Sequence, residues 1–222
     1  MKELGAKMYL MRRFDRLKGL NGISDAQIAA HLELYEGYVR NTNALNEQLA
    51  ELVREGKAST PSYSEITRRL GFEYNGMRLH ELYFENLTPR AHLLDEKTPL
   101  FAALAQHFRT FEAWRRNFVA GAGMRGVGWA VLYEDPETAR LSNNWITLHE
   151  HGHPAGFRPL LVMDVWEHAF MVDYKATERA RYIDAFFANV DWQTVNERFA
   201  RGERRTVSAD TGGFARASAS TR

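Results

Sequence analysis

The run Pro159-Leu-Leu-Val-Met-Asp164-Val-Trp166-Glu167-His168-Ala-Phe170 sets a carboxylate and an imidazole four residues apart in an apolar segment. An ionised carboxylate buried there costs several kcal/mol unless it is paired, hydrogen-bonded or bound to a metal. One reading is a structural Asp–His hydrogen bond where a strand gives way to a helix. The other is a metal site, favoured because Trp166 and Glu167 crowd more polar groups into the same segment. A second cluster, His149-Glu150-His151-Gly152-His153, satisfies H-E-x-x-H, the zinc-hydrolase signature. That motif works on a helix, where the outer imidazoles share a face and the glutamate activates a zinc-bound water. Gly152 inside it and Pro154 after it both oppose a helix. Trp145-Ile-Thr-Leu148 before it reads as a strand running into a loop, and an irregular loop at 149–154 removes the zinc reading.

These groups must be positioned by a chain of 222 residues, enough at roughly 150 per domain for one or two domains with a substantial core. Lys plus Arg total 29 against 28 Asp plus Glu, a balance that makes neither nucleic acid nor a membrane surface an expected partner. No apolar run approaches the roughly 20 residues needed to cross a bilayer. The first nineteen residues alternate charged and apolar types, so a cytoplasmic protein is expected. Cysteine is absent, which excludes disulfides, thiolate metal sites, iron–sulfur clusters and a thiol nucleophile.

Ser24 and Asp25 cap a helix whose Ile28, Leu32, Tyr35 and Val39 follow at spacings of four, three and four. The pattern continues to Gly56, about eight turns. After a break at 57–62 containing Pro61, Ser62 to Leu70 predicts a short helix ending at Gly71, and Met77 to Leu87 another apolar helical pattern. Residues 20–90 thus read as a hairpin of helices. Pro99–His107 and Thr110–Ala122 predict two more helices. The period then changes: Gly128–Tyr133, Ala139–Leu148 and Pro159–Asp164 read as strands, the first two joined by the turn Asp135-Pro136-Glu137-Thr138. A helix to about Asp173 and another over 178–187 follow. The expected fold class is α+β: an N-terminal antiparallel helical hairpin domain (1–92), then a mixed domain (93–201) with a three-stranded antiparallel sheet surrounded by helices. The Ser-, Ala- and Arg-rich residues 202–222 are expected to be a disordered tail.

Asp164-Val-Trp166-Glu167-His168-Ala-Phe170 resembles D-x-W-E-H-A-[FY], the C-terminal metal signature of the iron/manganese superoxide dismutases. Phe72 to Leu87 is similar to the family's second helix, F-x-x-N-G-x-x-x-H-x-x-[FY]-[FW]-x-N-[LM]. Gly126–Leu132 resembles its first strand, and Tyr182–Trp192 its closing helix and turn. The resemblance runs from about residue 20 to 200. It implies one iron or manganese ion per subunit, held by three histidines and an aspartate with a solvent molecule as fifth ligand, and dismutation of superoxide to dioxygen and hydrogen peroxide. His80, Asp164 and His168 match ligand positions directly, and His31, the only histidine of the first helix, would be the fourth. Tyr38 would be the tyrosine at the substrate gate, and Trp129 and Trp166 would wall the pocket.

The chain departs from the family pattern in three places. Many members have seven residues between the first ligand and the gate tyrosine, whereas His31 and Tyr38 are separated by six, which implies a π-bulge absent or moved. Tyr35 then stands where members often carry a second histidine. Iron-type members supply a glutamine, hydrogen-bonded to the bound solvent, from the position occupied here by Gly76. Others supply a glutamine or histidine from the loop after the second strand, where His149 and His151 are the candidates. Finally, Phe170 and Met171 replace two tyrosines, one of which serves the dimer interface. Glu167 is retained and would reach the partner subunit's His168, so a homodimer or tetramer is expected. These departures favour an alternative, a degenerate member that binds metal or serves structurally without catalysis; the intact residues 80, 164 and 168 oppose it.

Overall fold

In a computed structural model, residues 8–210 are described, with side chains to Arg201. The Ser24 hydroxyl accepts the Gln27 amide and starts α1 (Asp25–Arg54), which closes at Gly56 with a φ of +71°. Thr60 caps α2 (Pro61–Glu85) by accepting from Tyr63, with proline in the first turn. The helices run antiparallel: Tyr35 meets Glu81 and Asn41 meets Glu73. α2 is continuous, so the expected stop at Gly71 does not occur. Gly71 stays helical and does not take the positive φ that ends a helix, and its cost of about 1 kcal/mol relative to alanine is outweighed by the packed helix around it.

Thr98 and Thr110 cap α3 (Pro99–Phe108) and α4 (Phe111–Ala122). The sheet is antiparallel in the order β2-β1-β3, with β1 (Gly128–Glu134) between β2 (Leu141–Thr147) and β3 (Arg158–Asp164). β1 is buried at every position. Its register sets Trp129 opposite Ile146 on one side and Asp164 on the other.

After β3 the expected helix to Asp173 is replaced by one 3-10 turn, Glu167–Ala169. Gln27 of α1 is the reason. Its amide nitrogen donates to the His168 carbonyl at 2.7 Å and its amide oxygen accepts the Val172 N–H at 2.9 Å. Those two groups would bond to each other in an α-helix, and the inserted side chain satisfies both instead.

α5 (Arg179–Ala188) is followed by α6 (Trp192–Asp210). α6 corrects the expectation of disorder from residue 202: the helix runs to Asp210, and 211–222 lie outside the described residues. Its signals are ordinary ones, an Asp191 cap accepting from Thr194 and buried Val195 and Phe199 four apart. Arg198 fastens it to the rest of the molecule. Its guanidinium donates to Asn86 Oδ1 (2.5 Å), Leu82 O (3.1 Å), Leu160 O (2.8 Å) and Glu85 Oε2 (2.8 Å), tying α6 to α2 and β3. Arg198→Ala removes all four hydrogen bonds at once and should cost about 2–4 kcal/mol, lowering Tm by roughly 4–16 °C in a chain of this size. Thermal unfolding of the variant checks this, and an unchanged Tm would remove Arg198 as the fastener.

Candidate metal centre

α1 is a regular α-helix along its whole length, without a π-bulge among its residues. Seven residues on such a helix fall about 20° short of two full turns, so His31 and Tyr38 share a face about 10 Å apart. The shortened spacing is therefore accommodated by regular geometry. α2 contributes His80, the end of β3 contributes Asp164, and the turn after it His168. One ligand-type atom from each of these four residues lies within 4.8 Å of the others. Asp164 Oδ2 is 3.1 Å from His31 Nε2, 3.1 Å from His168 Nε2 and 3.6 Å from His80 Nε2. His31, His80 and Asp164 are fully buried, and His168 keeps a quarter of its side chain exposed.

Hydrogen bonds orient these groups. His80 Nδ1–H donates to the Gly76 carbonyl at 2.6 Å, which turns the lone pair of Nε2 toward Asp164, and Nε2 has no hydrogen-bond partner among the described residues. A buried imidazole nitrogen left bare costs about 1–3 kcal/mol, and a cation among the four donors would relieve it. Burial first, then the neighbouring His31, holds His80 well below the ordinary histidine pKa; burial lowers His31 too. Both stay neutral, the form that binds metal. Burial works to raise the Asp164 carboxyl, but the facing imidazoles of His168 and His31 outweigh it and hold the group ionised, below the usual carboxylate range. Its other oxygen accepts the Trp166 N–H at 2.8 Å, and its backbone carbonyl accepts the Tyr182 hydroxyl at 2.8 Å. Three imidazoles and one carboxylate suit an iron or manganese ion.

Around this set the aromatic rings form a wall. Trp129 and Tyr38 lie against His80, each at a centroid distance of 5.0 Å, and Trp166 stacks on His149 and His168. His149 is fully buried in this wall. Its Nδ1 accepts the Trp129 indole N–H at 3.0 Å, so the neutral ring carries its hydrogen on Nε2, which donates to the Tyr38 hydroxyl at 2.7 Å. Burial pushes the His149 pKa down to about 4, and burial together with Asp164 pushes the Tyr38 hydroxyl up. Tyr38 thus keeps its proton and does not spend it on His149.

The two loop candidates separate cleanly. His149 enters the pocket, whereas His151 is exposed and joined to Thr147 by two backbone hydrogen bonds. Residues 149–154 form an irregular loop in which Gly152 has a φ of +107°. The H-E-x-x-H match has no helix to work on, which rules out a zinc-hydrolase site there.

Residues outside the motifs also shape the site. Gln27 precedes His31 by one helical turn, and a buried amide on an apolar stripe was the available signal. Phe72 packs on His149 at 4.5 Å. Gly76 lies so close to Tyr38 that a Cβ there would sit 2.6 Å from the ring, so the position where iron-type members carry a glutamine is filled here by the tyrosine. Tyr35 does not face the donors' open space but donates to Glu81 at 3.0 Å and accepts the Arg12 N–H, its pKa raised by burial to about 12.

Residues 96–198 match the sequence model of the iron/manganese superoxide dismutases, C-terminal domain. A protein of Aquifex pyrophilus named superoxide dismutase [Fe] is 39% identical over 194 residues, covering 84% of this chain and 90% of its own. The chain belongs to the iron/manganese superoxide dismutase family. A superoxide dismutase [Fe] of Cupriavidus metallidurans is 36% identical over 83% of this chain and 92% of its own. A superoxide dismutase [Mn] 2 of Haloferax volcanii is 34% identical over 80% and 87%. Membership and the intact donor set favour the enzyme over the degenerate alternative.

Gly76→Ala forces the Tyr38 ring aside; overpacking of this kind costs roughly 1–3 kcal/mol, and the His149–Tyr38 bond should lengthen, which denaturant titration and a crystal structure would check. Acid provides a second test. The unfolded chain binds protons near pH 6.5 on His31, His80 and His149 that the folded chain refuses, so stability falls as pH drops from 6.5 toward about 4. Tm measured against pH should show that fall, with a shallower slope in His149→Gln.

Proposed function

We propose that the chain disproportionates superoxide at one iron or manganese ion held by His31, His80, Asp164 and His168. The observation that carries the reading is the convergence of these four donor atoms within 4.8 Å, in a chain of this family. When bound, the metal supplies a one-electron acceptor for one superoxide and a one-electron donor for the next. Two superoxides and two protons become dioxygen and hydrogen peroxide.

The chain's own residues bind, orient and deliver protons. Asp164 places a negative charge against the ion and tempers its pull on electrons. Tyr38 is half-buried while His31, His80 and Asp164 beneath it are sealed from solvent, so an anion and its protons pass beside its hydroxyl. His149, held neutral, donates to that hydroxyl and keeps it aimed. Trp129, Trp166 and Phe72 exclude bulk water, which strengthens each of these electrostatic effects.

We extend the proposal to a cytoplasmic homodimer of two-domain subunits divided near residue 92. No helix among the described residues is long and apolar enough to cross a membrane. Glu167 is exposed, and Met124, Met171 and Val172 are exposed apolar side chains on the same C-terminal part. Glu167 would reach the partner subunit's His168, and Met171 adds apolar surface where the family has a hydroxyl.

Asp164→Ala should abolish metal content and dismutation together, read by elemental mass spectrometry and a superoxide assay on one sample. A fully metallated, active variant would falsify the assignment.

A further inference from the structure

His153, the last residue of the H-E-x-x-H match, lies outside the donor set of His31, His80, Asp164 and His168. We propose that it is a positioning residue: it holds the backbone of His149, and through it the hydrogen bond from His149 to Tyr38. The inference rests on the role given to His149.

The hydrogen-bond directions carry the argument. His153 Nε2 lies 3.0 Å from the backbone carbonyl oxygen of His149. A carbonyl only accepts, so Nε2–H is the donor, and in that tautomer Nδ1 is the acceptor. That nitrogen lies 2.7 Å from the Tyr133 hydroxyl, which therefore donates to it. Tyr133 stands on β1, four residues after Trp129 and on the same face of the strand. β1 is the central, fully buried strand. It consequently grips His149 twice, at the ring through the Trp129 indole and at the backbone through Tyr133 and His153.

The loop requires such a hold. It leaves β2 through Leu148 with a φ of +56° and returns through Gly152, where a Cβ would sit 2.5 Å from the Trp145 carbonyl. Thr147 and His151 exchange the backbone bonds that close the turn. Among the described residues no such ladder bond reaches the His149 carbonyl; the His153 side chain takes that place. A backbone shift of about an ångström at residue 149 would carry its ring out of hydrogen-bond range of Tyr38.

The test uses the full-length, metal-loaded protein and four variants, reading metal content, reduction potential and the pH dependence of dismutation. His149→Ala tests the underlying role. His153→Phe removes both hydrogen bonds, and the adjoining cleft of about 170 Å³, lined in part by Tyr133, His153 and Phe157, leaves room for the ring. It should keep its metal, lose roughly threefold to tenfold in activity, and move the potential and pH profile in the direction of His149→Ala. The expected loss lies below the ~10–100-fold typical of groups bonded to a metal ligand. His153→Gln can donate to the carbonyl and accept from Tyr133, and should restore both readouts. Tyr133→Phe should give a smaller shift of the same sign. A His153→Phe protein with a lowered Tm but the wild-type potential and pH profile would reduce His153 to a loop staple and overturn the proposal. If His153→Phe fails to fold or load, Tyr133→Phe decides, and an unshifted potential there overturns it. If His149→Ala shifts neither readout in an active enzyme, the role of His149 falls and the proposal with it; if only the His153 and Tyr133 variants are silent, the proposal alone falls.

Discussion

A carboxylate with no solvent exposure at all is the constraint around which this molecule is arranged. Asp164 ends the last strand of a three-stranded sheet, and its charge must be balanced from elements that arrive separately. α1 brings His31, α2 brings His80 and the following turn brings His168. Its remaining oxygen is taken by the Trp166 N–H, and its backbone carbonyl by the Tyr182 hydroxyl of α5. Truncating His31 or His168 alone takes a hydrogen-bond partner from a buried carboxylate, which ties the site to the fold. A cation among the three imidazoles completes the balance that the protein groups begin.

Reactivity at such a site is set by direction more than by composition. The Trp129 indole can only donate, so His149 must accept at Nδ1 and donate from Nε2, and the Tyr38 hydroxyl keeps its proton. One donor-only group on the most buried strand thereby settles the polarity of a chain of three side chains. Burial supports the same polarity by holding His149 neutral and raising Tyr38. Glycine contributes by absence: without a side chain at 76, the Tyr38 ring can lie against His80.

The turn that carries His168 shows how a remote residue shapes a site it does not enter. Gln27 satisfies the His168 carbonyl and the Val172 amide, and so prevents the helix that the local pattern favours. The 3-10 turn that results carries His168 Nε2 to 3.1 Å from Asp164 Oδ2. Arg198 acts similarly at larger scale, fixing α6 against the strand that ends in Asp164.

By itself the sequence determined the class of the fold, the long capped first helix, the three strands and the motif around Asp164 and His168, because caps, periodicity and short polar interruptions of apolar runs are local signals. It also carried the family resemblance that singled out His31 and His80, and it argued against a zinc helix at 149–153 through Gly152 and Pro154. Tertiary structure decided what local signals cannot encode. Whether Gly71 ends a helix depends on how α2 packs as a whole, and whether residues 165–173 coil depends on an amide 141 residues from the carbonyl it binds. Which of His149 and His151, both histidines in one loop, enters the pocket turned on which side chain the loop buries against Trp129 and Tyr38. The physical reason is common to these cases: a hydrogen bond between distant residues leaves no period or spacing in the chain, and only the folded backbone brings its two ends together.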